Sequence, residues 1–352
     1  MQQIPLEPTL EEWRQLYQTA DEFRQLAPWD YMADTDLFAV VEPESGRTGY
    51  CSVFGAGGEI FGLAVFLGAR GFATFNLQAS SHERDFAQVD ATELMERLPY
   101  ALMATFENVG DLEPHDIEQI QELGLQYRGA KTRPMFRLHE PGYGPWYLGR
   151  EDVRFLAFVL AEAKSVVRRF KQNPDLVQAA DPLRTIFTRV PLEGSMVDSW
   201  TEAPPLEPAQ YPALDTGDLL RRTRYQKPRQ TTTTWEVDYF YLPRLLAQDE
   251  SGRPAFPRVV LCVDRSTGRP VDTLAATAVN FYLEAPMRIF ETMLRRGVPR
   301  RIRVRRLNAL ATLAPVAEAV GAKLVLVERL DLLDAYKHDL VDHIGDDLSL
   351  LE

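Results

Sequence analysis

The chain has 352 residues, 45% of them apolar and 26% charged, enough for two or three globular domains with real cores. No stretch approaches the ~20 consecutive apolar residues of a membrane span, and Met1-Gln2-Gln3-Ile4-Pro5 lacks the basic region and apolar run of a signal peptide, so a cytoplasmic protein is expected. The net charge of −12 falls wholly in residues 1–150, with 11 Lys and Arg against 23 Asp and Glu, while residues 151–352 hold 28 of each; the first part should repel nucleic acid.

In chain order, Leu10, Trp13, Leu16, Tyr17, Ala20, Phe23 and Leu26 recur at helical spacing. Thr9 and Glu12 are placed to form a capping box at the start of that helix. Three strands follow, Leu37–Val41, Tyr50–Phe54 and Ile60–Leu67, with glycine-bearing turns that predict an antiparallel meander. A helix over Asp90–Leu98, a strand Ala101–Phe106, a helix opened by Pro114 and a strand near Met135–Leu138 complete an acidic N-terminal domain, 1–145. The segment Pro141-Gly142-Tyr143-Gly144-Pro145-Trp146-Tyr147 is read as the junction, its aromatic rings packing rather than binding a ligand.

The second domain, 146–352, is expected to open with a long amphipathic helix, Glu151–Lys171. Strands are predicted at Leu183–Val190 and at Thr231–Tyr241, where β-branched and aromatic residues alternate with polar ones. The basic run Arg221–Arg229, with Tyr225 inside it, is read as an exposed loop. A hairpin then spans Val259–Asp264 and Pro270–Val279, followed by a helix Leu283–Arg296, a strand Arg301–Arg305, a helix Thr312–Val320 and a strand Lys323–Val327. The hairpins at 38–46 and 260–268 resemble each other, a hint of internal duplication. Overall the fold class is α+β, two domains with mixed or antiparallel sheets flanked by helices.

Little in the chain carries a motif of catalysis. Cys51 and Cys262 lie in separate apolar runs, as buried free thiols do, and provide no zinc spacing. Gly55-Ala56-Gly57-Gly58 joins two strands and is neither a P-loop nor a dinucleotide fingerprint. The spacings His338/Asp342 and Asp339/His343 are better explained by a solvated acidic helix than by a metal. Two-metal phosphodiester hydrolysis would need several carboxylates around two cations roughly 4 Å apart. Asp264, with Glu284 or Glu291 on the following helix and Asp272 on the second hairpin strand, would supply them; Mg or Mn is implied only on that reading, and otherwise no cofactor. Where a third carboxylate is needed the chain has Arg305 and Arg306. Against that reading, Asp264 fits a turn in which its carboxylate caps backbone N–H groups. Seven arginines lie between Arg295 and Arg306, and Arg301, Arg303 and Arg305 share one strand face, with Arg306 next in line. This anionic-binding or interdomain surface is expected to pair inside the chain, between the domains, or with a protein partner rather than with nucleic acid.

Several segments resemble an uncharacterised bacterial two-domain family of unknown function: Trp29-Asp30-Tyr31-Met32, Val53-Phe54-Gly55-Ala56-Gly57-Gly58-Glu59, Phe66-Leu67-Gly68-Ala69-Arg70-Gly71-Phe72, the junction Pro141–Trp146, Pro257–Asp264 and Gly297-Val298-Pro299. That resemblance implies domain boundaries and no mechanism. The order hairpin, helix, strand, helix, strand over about 256–330 resembles a ribonuclease-H-like domain, in which active members carry a carboxylate at the end of the first strand, the position that Asp264 occupies in this chain. The expectation is a non-catalytic binding or interaction protein with a degenerate ribonuclease-H-like domain; the alternative is a metal-dependent nuclease or nucleic-acid-binding protein using Asp264 with Glu284 or Glu291.

Overall fold

A computed structural model describes residues 7–79, 95, 98–179, 181, 184–205, 211–212, 214–242, 245, 247–248, 252–276 and 280–343. The expected helix at 90–98 lies largely outside the described residues, as do the side chains of His338, Asp339, Asp342 and His343. The protein is α+β, with two mixed sheets flanked by helices and two compact units. No helix among the described residues is long and apolar enough to cross a membrane.

The first unit holds α1 (Leu10–Gln25), β1 (Phe38–Val41), β2 (Thr48–Phe54), β3 (Gly62–Leu67), α2 (Gly68–Ala79), β4 (Ala101–Glu107), α3 (Pro114–Glu122), β5 (Arg133–His139), α4 (Arg150–Phe170), β6 (Thr185–Leu192) and β7 (Ser195–Glu202). Its seven strands are ordered β5-β4-β3-β2-β1-β6-β7, antiparallel throughout except for β1 beside β6. The capping box forms as the sequence predicts: Thr9 N donates to Glu12 Oε2 at 2.8 Å and Glu12 N to Thr9 Oγ1 at 3.3 Å. Behind that cap, Leu16, Tyr17, Ala20 and Phe23 are buried in one core with Val153, Leu156, Leu160, Ala163 and Phe170 of α4. The opposite sheet face buries Tyr50, Phe66 and Ile186 with Phe72 of α2. A Cβ on Gly71 would lie 2.6 Å from the Phe66 carbonyl carbon, so glycine is what lets α2 lie on the backbone of β3.

This corrects one expectation. The long helix 150–170 and the hairpin 185–202 do not open the second domain; they complete the core and the sheet of the first, and the division falls near Leu206. An amphipathic stripe shows that a helix buries one face, not against which sheet. At the junction, Tyr143 lies under the Arg253 guanidinium in the second unit, whereas Tyr147 stacks on Arg137 in the first, so the aromatics do pack as expected.

The second unit contains α5 (Thr216–Gln226), β8 (Thr234–Tyr241), the short pair β9 (Ala247–Gln248) and β10 (Pro254–Ala255), β11 (Arg258–Asp264), β12 (Arg269–Ala276), α6 (Phe281–Arg296), β13 (Arg301–Val304), α7 (Leu307–Val320), β14 (Lys323–Leu326) and α8 (Asp331–His343). The basic run expected as a loop is mostly helix: Asp215 caps α5 by accepting from Gly217 N at 2.8 Å, and Leu219 is fully buried. The five strands are ordered β12-β11-β8-β13-β14. β8 is antiparallel to β11 and parallel to β13, and β14 continues in parallel. The centre of the sheet is therefore β8 and not the first hairpin strand, β11. Trp235, Val237 and Tyr239 face a core shared with α6 and α7. The opposite face, with Phe240, Leu261 and Val263, is covered by Leu330 and Leu333 of the C-terminal segment.

Candidate functional site

Because β8 alternates, Glu236 and Asp238 share the face that α8 covers, and both side chains are 0% exposed. Two buried carboxylates on a central strand are the most costly groups in this unit to leave uncompensated. Arginines compensate them. Glu236 Oε1 accepts from Arg303 at 3.0 Å and from Arg265 in a shorter bond, and Glu236 Oε2 accepts from the backbone N–H of Leu333 at 3.0 Å, in the first turn of α8. Asp238 Oδ2 accepts from Arg305 Nε at 2.9 Å, and Arg306 Nε lies 3.2 Å from Asp238 Oδ1. Arg305 also reaches Asp334 of α8 at 2.7 Å, so one guanidinium bridges two carboxylates. Burial pushes the Asp238 carboxyl above its ordinary range, against the opposing pull of Arg306 and Arg305.

The register explains why these arginines arrive there. Arg303 stands beside Glu236 across the parallel β8/β13 ladder, and two residues further along both strands bring Arg305 beside Asp238. The alternating arginine face meets an alternating acidic face on the neighbouring strand. Arg303, Arg305 and Arg306 pair chiefly with β8, and Asp334 is the member of the acidic tail that joins them. Arg301, first in the same row, is exposed and has no ion-pair partner among the described residues.

The carboxylates first considered for metal chemistry are placed otherwise. Asp264 Oδ1 accepts from Ser266 N at 2.8 Å and Ser266 Oγ at 2.6 Å, and its carbonyl accepts from Gly268 N at 2.8 Å, with Gly268 at φ +66°. This is the capped turn. Asp264 is in register with Trp235, near the start of β8, whereas Arg305 and Arg306 follow the end of β13. They do not face each other. Glu284 is exposed, Glu291 pairs with Arg222 at 3.3 Å, and Asp272 is held by Arg288 at 3.0 and 3.1 Å. Among the described residues no three His, Cys, Asp or Glu side chains gather as a metal would require.

Sequence reasoning missed Glu236 and Asp238. The signal was two carboxylates at alternate positions of a strand whose remaining residues, Trp235, Val237, Tyr239, Phe240 and Tyr241, are all core formers; a strand buried on both faces has no solvated side for them.

The model of a family described as a domain of unknown function, DUF7309, matches residues 13–189, just over half of the chain. The chain belongs to this family. The DUF7309 match ends within β6, inside the first unit, and a second domain of unknown function, DUF6930, matches residues 219–341, from α5 into α8. No curated protein matches the chain. Among the solved chains that align with this DUF7309 protein is one from the cryo-EM structure of a simian T-cell lymphotropic virus intasome in complex with PP2A regulatory subunit B56 gamma. The two are 13% identical, the alignment covers 37% of this chain and 49% of that one, and the TM-score is 0.25. The chain thus spans about half the length of that solved chain, and a likeness of this size carries no argument.

Proposed function

We propose that the protein is a non-catalytic binding protein whose second unit is a degenerate ribonuclease-H-like scaffold. The observation that carries this reading is the guanidinium bridge. Arg305 spans Asp238 and Asp334, where two acidic side chains from the central strand and the last helix would otherwise be free to share a cation. A guanidinium cannot be deprotonated in a protein and cannot ligate a metal, so a carboxylate pair held this way is closed to two-metal chemistry. The sheet supports the scaffold part: an antiparallel meander of β8, β11 and β12, with two parallel strands added on the other side of β8 through helical crossovers. The strand at the expected carboxylate position is then β8, and its carboxylate is Asp238 rather than Asp264.

The nuclease built on Asp264 with Glu284 or Glu291 draws no comparable support, since each of those groups is capped, exposed or paired. The full-length chain incubated with single- and double-stranded DNA and RNA in Mg²⁺ or Mn²⁺ is expected to leave them intact. Cleavage that disappears in Asp264→Ala or Asp238→Asn would overturn the proposal and restore the catalytic alternative.

A further inference from the structure

The arginines not used in the buried network collect elsewhere. β8, β13 and β14 are parallel, so Thr234, Arg301 and Lys323 lie side by side where the three strands begin. Helices α5 and α6 end at that same pole, because each leads into one of these strands. The chain there is stitched together: Val298 N donates to Arg229 O at 2.8 Å, Arg300 N to Thr233 O at 2.9 Å and Lys323 N to Arg300 O at 3.1 Å. β11 also ends here, with Asp264 opposite Trp235 and Arg269.

Arg224, Arg229, Arg296, Arg300, Arg301 and Lys323 are all exposed at this pole, and none has an ion-pair partner among the described residues. The nearby carboxylates are few: Asp264, engaged by Ser266, and Glu318 in the last turn of α7. Residues 151–352 hold as many acidic as basic side chains, so composition alone does not account for a cationic pole. Solvated arginines alone would be an ordinary surface, but two further features go beyond that. A groove of about 290 Å³ opens there, lined by Arg269 and Arg296 together with Thr231, Thr233 and Thr267, and also by Asp264, whose carboxylate is engaged by Ser266. Tyr225, on the basic end of α5, is 88% exposed, an aromatic ring with no packing role of its own.

We infer that this pole binds single-stranded nucleic acid, with phosphates on its arginines and a base stacked on Tyr225. Arginine predominates over lysine, as bidentate contact with phosphate favours. An exposed ring in the last turn of α5, next to Arg224 in the chain, fits an unstacked base better than a carboxylate-bearing protein segment, which would gain nothing from stacking. The inference deepens the binding reading above and reverses the order of partners suggested by sequence.

The test is fluorescence anisotropy of a labelled oligonucleotide of about 20 nucleotides, long enough for several phosphate contacts, with the full-length chain in EDTA. Affinity is expected to fall with salt at a log–log slope of about −3, as four or five phosphate contacts give on a single strand. Arg296→Glu/Arg300→Glu/Arg301→Glu should flatten that slope by about 2, and Tyr225→Ala should weaken binding about tenfold while Tyr225→Trp retains it. All four positions are exposed, and circular dichroism verifies that the variants fold. No binding at low salt, or a Tyr225→Ala chain that binds like the wild type while polyglutamate competes equally, would overturn the inference; the second result would make the pole a surface for acidic proteins. Without divalent ions no cleavage interferes, so failure of this test is distinct from failure of the non-catalytic reading.

Discussion

At Asp238 a carboxylate with no exposure sits against two guanidiniums, and its replacement separates pairing from packing. Asp238→Ala leaves Arg305 and Arg306 without their buried partner and should destabilise the second unit by about 3–5 kcal/mol in denaturant unfolding. Asp238→Leu combined with Arg305→Met and Arg306→Met should recover most of that loss, because an apolar replacement of similar volume removes the uncompensated charge. A single-variant loss below about 1 kcal/mol would mean that the network is solvated, as surface pairs are. Cys51 and Cys262 were legible from sequence as buried thiols; both are fully buried and free, and burial pushes both thiols well above their ordinary range. Neither should react with a thiol reagent at neutral pH until the chain unfolds, which a titration with and without denaturant checks. Glu236 and Asp238 were harder to see because the hairpin ending in Asp264 satisfies the same pattern of apolar strand and carboxylate. Only the pairing of β8 between β11 and β13 distinguishes a turn cap from a buried charge.

Among the elements, helices with periodic stripes and local caps were legible: α1, α3 and α4 appear within a residue or two of their expected ends. Elements defined by long-range contacts were not. β7 has little apolar content and exists because it pairs with β6, and α5 looked like a loop because arginine dominates its second half while only Leu219 is fully buried. In α1, a backbone N–H from Thr9 holds the Glu12 carboxyl below the usual range, with Arg150 adding to the pull against a modest burial penalty. Glu22, bonded to Lys164 of α4, is lowered in the same way. A lowered folded pKa stabilises above the unfolded value and is lost as pH falls through the folded one, so the first unit should lose stability below about pH 4.5. Glu12→Gln should flatten that loss in thermal melts recorded at decreasing pH, and Thr9→Ala should cost about 1 kcal/mol at neutral pH.

On the scale of the whole molecule, sequence placed the charge correctly and the boundary incorrectly. The acidic excess of residues 1–150 belongs to the first unit's share of the chain, but that unit continues to Leu206 because α4, β6 and β7 complete its core and sheet. Around β13 the arginines divide by position: Arg303, Arg305 and Arg306, towards and beyond its end, neutralise buried acids, whereas Arg296, Arg300 and Arg301, at or just before its start, remain exposed. The central claim is that guanidiniums, not divalent cations, neutralise the carboxylates at the heart of this unit. Titrating the full-length protein with Mn²⁺ and following the free ion by electron paramagnetic resonance tests it most directly. The account predicts that wild type and Asp238→Asn leave the same free Mn²⁺ at every point. Tight Mn²⁺ uptake by the wild type that Asp238→Asn abolishes would contradict it.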